Sequence, residues 1–160
     1  MDQTSRELLK EKHWALLDVE FIRTSQTHRS IRKLYILDRN GYSDMLSEFY
    51  PCKRYEDVEW KYQRTFQYCK RHIHKLNYNL KYYKKYSPEC RQVLPILNEF
   101  IVDNGIELIL YKGGTIERDL SKALDIPSLN IECIERLEKT SSHNPRTEVT
   151  CYFNQIVEML

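Results

Sequence analysis

An apolar run interrupted by two acids, Trp14-Ala-Leu-Leu-Asp18-Val-Glu20-Phe-Ile22, limits the choice of fold more than any other stretch. Its residues suit a β-strand, and it is long enough to cross a domain core. Side chains alternate across a strand, so Asp18 and Glu20 share a face, with Cα atoms roughly 6.6 Å apart over two rises of ~3.3 Å. Two acids on one face of a buried strand repel each other and lose hydration, which is costly unless positive charge joins them. A hard divalent cation, which takes oxygen ligands, meets that need. Taken alone, D-x-E fits equally well an edge strand whose acids face water, so the rest of the chain must decide.

The flanking sequence places this strand in a sheet. Residues 4–11 read as a short helix leading into it, and Ile31 to Leu37 as a second strand. Asn40-Gly41 follows, the strongest short hairpin signal, and residues 44–50 make a third strand stopped by Pro51. Val58, Tyr62, Phe66, Cys69 and Ile73 recur at helical spacing, and residues 77–87 read as a loop. A second helix is expected from about Pro88, with Val93, Leu94, Leu97, Phe100 and Ile101 on one side and Asn104-Gly105 as its stop. Pro95 either kinks that helix or marks its beginning. Residues 106–111 form a strand, Gly113-Gly114 a turn, 115–124 a helix and 128–133 a fifth strand. In the last helix Asn144 is the N-cap, Pro145 takes the first position, and Val149, Tyr152, Phe153, Ile156, Val157 and Leu160 form an apolar stripe. The order β-β-β-α-α-β-α-β-α implies an α/β fold with a mixed five-stranded sheet flanked by helices.

A chain of 160 residues fits one domain, 1–160, with one core. With 41% hydrophobic and 30% charged residues it is globular rather than disordered. No apolar stretch approaches the ~20 residues of a membrane span. Residues 1–12 are polar and charged, without a signal-peptide core. The five cysteines are odd in number and unevenly spaced, as expected of reduced thiols or metal ligands. An intracellular protein is therefore expected, in cytoplasm or nucleus. The net charge of +2 does not by itself imply a nucleic-acid partner.

The strand order and three motifs resemble the DnaQ-like, or DEDDh, 3′–5′ exonucleases of the RNase H-like fold, over about residues 14–160. The first motif, D-x-E on the first strand, is matched by Asp18-Val-Glu20. The second, an Asp near the start of a helix after a strand and a small-residue turn, is matched in Leu110-Tyr-Lys-Gly-Gly-Thr-Ile-Glu-Arg-Asp119. The third, His and four residues before a carboxylate, is matched by His143-Asn-Pro-Arg-Thr-Glu148. Gly113-Gly114 departs from the family's frequent His-Asn, and Glu148 from its usual Asp. The resemblance implies two Mg²⁺ or Mn²⁺ ions held by Asp18, Glu20, Asp119 and Glu148, with Asp18 bridging them and His143 as general base. It implies hydrolysis of the last phosphodiester of single-stranded RNA or DNA. The departures also fit an alternative, a nucleic-acid-binding module that keeps the fold without turnover, as in the related Maelstrom domain.

Two further features bear on partners. Cys69 and His72 lie one turn apart on a helix, and with Cys52 and Cys90 they form a candidate structural zinc site, His74 being an alternative to His72. The same cysteines also fit small buried hydrophobes. Arg64, Lys81, Tyr82 and Tyr83 belong to a basic, tyrosine-rich stretch of the kind that binds phosphates and stacks bases, or that simply forms a wet loop. Lys112, at a strand end near the proposed ions, is placed to meet a phosphate. Arg23, Arg29, Arg32 and Lys33 form a second basic candidate patch.

Overall fold

The computed structural model describes residues 3–26, 29–49, 56, 58–72, 93–134, 137–140 and 144–160, without the side chains of Cys69 and Cys133. Helix α1 (Gln3–Glu11) leads into β1 (Trp14–Arg23), β2 (Arg29–Asp38) and β3 (Asp44–Glu48). Then come α2 (Trp60–His72), α3 (Val93–Asp103), β4 (Leu108–Tyr111), α4 (Ile116–Ala123), β5 (Ser128–Asn130), a 3-10 turn over Ile131–Cys133 and α5 (Pro145–Met159). The strands form one mixed sheet in the order β3-β2-β1-β4-β5. β1, β2 and β3 run as an antiparallel meander, while β4 and β5 are parallel to β1.

The Asn40-Gly41 turn that joins β2 to β3 has the chemistry its sequence requires. Gly41 takes a positive φ of 79°, and the Asn40 Oδ1 accepts from the amides of Tyr42 and Ser43 at 2.7 and 3.0 Å. Central strand β1 then sorts its residues by alternation. Trp14 and Leu16 pack with Leu9 of α1 and with Val149, Tyr152 and Ile156 of α5. Ala15, Leu17 and Val19 pack on the other side with Val93, Leu97 and Ile101 of α3 and Ile116 and Leu120 of α4. Each large apolar side chain buried this way contributes about 1.5–3 kcal/mol, which ties both helical layers to the sheet. The β1–β2 register shifts only between Glu20 and Phe21, so the alternation continues through Asp18 and Glu20. Both acids therefore share the face of Trp14 and Leu16, under α5.

Among the element bounds that differ from the sequence expectation, two have a clear local reason. The fifth strand ends at Asn130 rather than 133, because the Asn130 side chain accepts from the Glu132 amide at 3.0 Å and folds the chain into the 3-10 turn. The strand expected from 106 pairs only from Leu108, since the Ile106 amide still donates to Ile101 O of α3 at 3.0 Å. Pro95 lies in α3, which is described from Val93; the residues before it, where the helix is expected to begin, lie outside the described residues. No helix among the described residues is long and apolar enough to cross a membrane.

Candidate metal centre

Helix α5 delivers a third acid to the face that carries Asp18 and Glu20. The Asn144 Oδ1 accepts from the amides of Arg146 and Thr147, and Pro145 opens the helix. Tyr152 and Ile156 are buried against the sheet, and Glu148 precedes them by four and eight residues on the same helical face. It thus projects toward β1 from the first turn, where the helix dipole favours a negative charge. Oxygens of Asp18, Glu20 and Glu148 all lie within 4.8 Å of one another. Ligands opposite each other across a Mg²⁺ ion would be roughly 4.2 Å apart, twice the ~2.1 Å bond, so this spacing suits one hard cation.

A fourth acid comes from an unexpected position. Beyond the last β1–β4 pair, Leu16 with Leu110, β1 continues without that neighbour's ladder. There Glu117, only 4% exposed at the start of α4, accepts the Val19 amide on its Oε1 at 3.2 Å. Gly113 and Gly114 make this approach feasible. Both have positive φ, and a Cβ on Gly114 would lie 3.1 Å from the Glu117 Oε2. The Asn130 Oδ1 holds the turn by accepting the Gly113 amide at 3.1 Å.

Asp119, expected to be the third ligand, is elsewhere. Residues two apart on an α-helix point about 200° apart, so Glu117 and Asp119 cannot both face the sheet. The Asp119 side chain is 50% exposed and accepts from Arg29 Nη2 at 3.0 Å. Arg29 also donates to Thr115 Oγ1 at 3.0 Å, fastening the start of α4 to β2. Glu117, not Asp119, is the acid that α4 turns inward.

The four acids press on one another electrostatically. Burial, then the charges of Glu148, Glu117 and Glu20, hold the Asp18 carboxyl far above the ordinary carboxylate range. Burial and the charges of Glu148 and Glu117 push Glu20 up to about 7, against a smaller opposing pull from Lys33. Burial likewise pushes Glu117 up to about 7, although its own backbone, the Val19 amide and Arg29 favour the ionised form. Among the described residues, the buried Asp18 Oδ2 and Glu117 Oε2 accept no hydrogen bond. Shielded, unsatisfied hard oxygens in a cluster of acids fit a hard metal ion.

No model of a known protein family matches the chain, and no curated protein matches it. Its chemistry must be read from the centre itself. Lys112, at the end of β4, lines a small cleft with Asp18, Glu148, Leu16, Val149 and Tyr152, and its Nζ lies 4.8 Å from the centre of the Tyr152 ring. It adds a cation to the lining of a cleft otherwise framed by acids and apolar groups.

The remaining sequence candidates divide. His143, Cys52, Cys90, His74, Lys81, Tyr82 and Tyr83 lie outside the described residues, as does the side chain of Cys69. His72 is exposed, with its ring 4.7 Å from that of Tyr68. Arg64 is exposed on α2, over the Trp60 ring. In the second basic patch Arg23 is exposed and donates to Gln26 O at 2.9 Å, while the other three have partners within the fold. Arg32 is 1% exposed and donates to Phe49 O, Arg29 is engaged by Thr115 and Asp119, and Lys33 lies 3.9 Å from Glu48.

The raised carboxyls predict how stability responds to pH. Glu20 and Glu117 ionise near 4.5 when unfolded and near 7 when folded. Their protonated forms favour the fold fully below pH 4.5, and this contribution is lost as the pH rises through about 7. In EDTA the melting temperature should therefore fall between pH 5 and pH 8. Mn²⁺, if held by the ionised acids, should raise it more at pH 8 than at pH 5. Equal Mn²⁺ shifts at both pH values would argue against ligation by these carboxylates.

Proposed function

We propose that this chain is a metal-dependent 3′–5′ exonuclease of RNase H-like fold that hydrolyses phosphodiester bonds of single-stranded RNA or DNA. The observation that carries the reading is the convergence of Asp18, Glu20 and Glu148 within ligand distance, with Glu117 buried beside them. An antiparallel meander joined by two parallel strands, with the acids on its central strand, supports the fold assignment.

Bound Mg²⁺ or Mn²⁺ ions would supply a water of lowered pKa and charge to offset that growing on the phosphate. The chain's residues have separate tasks around that chemistry. Asp18, Glu20 and Glu148 would hold the cation, and Glu117, buried beside them, would add a fourth acidic oxygen donor. Lys112 meets a phosphate oxygen at the cleft. His143, the residue before the cap of α5, takes the proton from the attacking water, since an imidazole of ordinary pKa ~6.5 suits that task near neutral pH.

The test is a time course on a 5′-labelled single-stranded oligonucleotide with Mn²⁺. Progressive shortening from the 3′ end that EDTA stops is expected. An oligonucleotide left intact in both Mn²⁺ and Mg²⁺ would overturn the proposal.

A further inference from the structure

Helix α2 carries a surface that the acidic centre does not use. Its sequence includes Lys61, Arg64, Lys70 and Arg71 and no acid. Trp60, Arg64, Tyr68 and Arg71 fall at i, i+4, i+8 and i+11, on one side of the helix. Trp60 is 68% exposed and Tyr68 61% exposed. Phe66, on the opposite side, is buried and anchors the helix. The Arg64 guanidinium lies 5.2 Å from the centre of the Trp60 ring. Large exposed rings cost solvation, and here they alternate with cations along a helix roughly 20 Å long.

We infer that this face of α2 is a stacking track for single-stranded nucleic acid. Charge complementarity selects the occupant: Arg64 and Arg71 on this face, on a helix that also carries Lys61 and Lys70 and no acid, favour a polyanion, and the interleaved rings favour one that carries flat bases. The position of α2 agrees. The Glu59 amide, just before the helix, donates to Thr24 O at 3.2 Å. Thr24 lies just past the end of β1, four residues beyond Glu20, or roughly 13 Å at a strand's rise. The start of α2, with Trp60, is therefore held near the end of β1 that carries the acids. That a strand bound to α2 is then cut rests on the exonuclease reading; binding to α2 does not.

The chain has two tryptophans, and Trp14 is fully buried, so a stacking base can reach only Trp60. The experiment titrates the full chain with oligo(dT) of roughly 12 nucleotides, within the span of known single-strand sites, with EDTA present to prevent hydrolysis. Tryptophan emission should be quenched. Affinity, followed by anisotropy of labelled oligonucleotide, should fall roughly tenfold in Trp60→Ala and recover in Trp60→Phe, which keeps a stacking ring. Arg64→Glu should weaken binding and flatten its salt dependence. Tyr68→Ala gives a second exposed position, and thermal melts establish that each variant is folded.

Unchanged emission, or a folded Trp60→Ala that binds as tightly as the parent, overturns the inference. So does equal quenching by polyphosphate, which would mean charge alone, or by polyglutamate, which would mean a protein-binding face. Cleavage in Mn²⁺ without quenching sinks the track and leaves the exonuclease. Quenching with the expected variant losses but no cleavage supports the track and sinks the exonuclease.

Discussion

Asp18→Asn is expected to abolish metal-dependent cleavage and, in the same protein, to raise the stability of the metal-free fold. The first effect follows from position. Asp18 is buried and feels the charges of Glu148, Glu117 and Glu20, and its oxygens lie within 4.8 Å of those of Glu20 and Glu148. On the exonuclease proposal, losing this ligand should lower kcat on the order of a thousandfold, or ~4 kcal/mol. The second effect follows from the carboxyl's raised pKa. At pH 8 the unfolded chain ionises Asp18 freely, whereas the folded chain holds it in the company of three acids. Asparagine has nearly the same shape, carries no charge, and offers an amide donor to neighbouring carboxylates. Every kcal/mol gained should raise the melting temperature of a chain this size by about 2–4 °C. Thermal melts in EDTA and single-turnover assays in Mn²⁺ read the two effects separately. Retained cleavage, or a drop in melting temperature, would mean that Asp18 is an ordinary structural acid.

The parts of this arrangement that were legible in sequence are those set by local chemistry. Alternation along residues 14–22 placed Asp18 and Glu20 on one face, and β1 shows that arrangement. Asn144-Pro145 marked the start of α5, and a helix begun there has to turn Glu148 in the same direction as Tyr152 and Ile156. The Asn40-Gly41 hairpin follows the same logic. What sequence spacing alone missed depends on neighbours. Glu117 was passed over because Asp119 sits where a family motif leads one to look. Yet Ile116, Leu120 and Leu124 mark the apolar side of α4, and Glu117 with Ser121 adjoins it while Asp119 does not. The helical period therefore carried the signal, though the driving force, an open Val19 amide beyond the end of β4, exists only once the sheet has formed. Likewise, the early end of β5 depends on one Asn130 oxygen shared by Gly113 and Glu132, a contact across 17 residues for the first of them. For the basic residues of β2 the charge is visible in sequence, whereas the internal partners of Arg29, Arg32 and Lys33 are not.

The two acids of α4 are accordingly expected to behave in opposite ways. Glu117→Gln keeps an oxygen for the Val19 amide, so the strand edge and the fold should survive. It removes the charge that bears on Asp18, and cleavage in Mn²⁺ should fall on the order of a hundredfold, about 2.7 kcal/mol of transition-state stabilisation. Asp119→Asn retains an acceptor for Arg29 at the half-exposed surface, and an exposed ion pair is worth only about 0–1 kcal/mol, so cleavage and melting temperature should stay close to the parent. The Mn²⁺-induced rise in melting temperature distinguishes a metal defect from a folding one: it should shrink in Glu117→Gln and persist in Asp119→Asn. The reverse pattern would require α4 to rotate by half a turn when metal binds, breaking the Arg29–Asp119 pair and withdrawing Glu117 from β1. Loss of the Arg29 contact would then be the first sign, because that arginine joins α4 to the strand beside the acids and would have to release both Thr115 and Asp119 for the helix to turn.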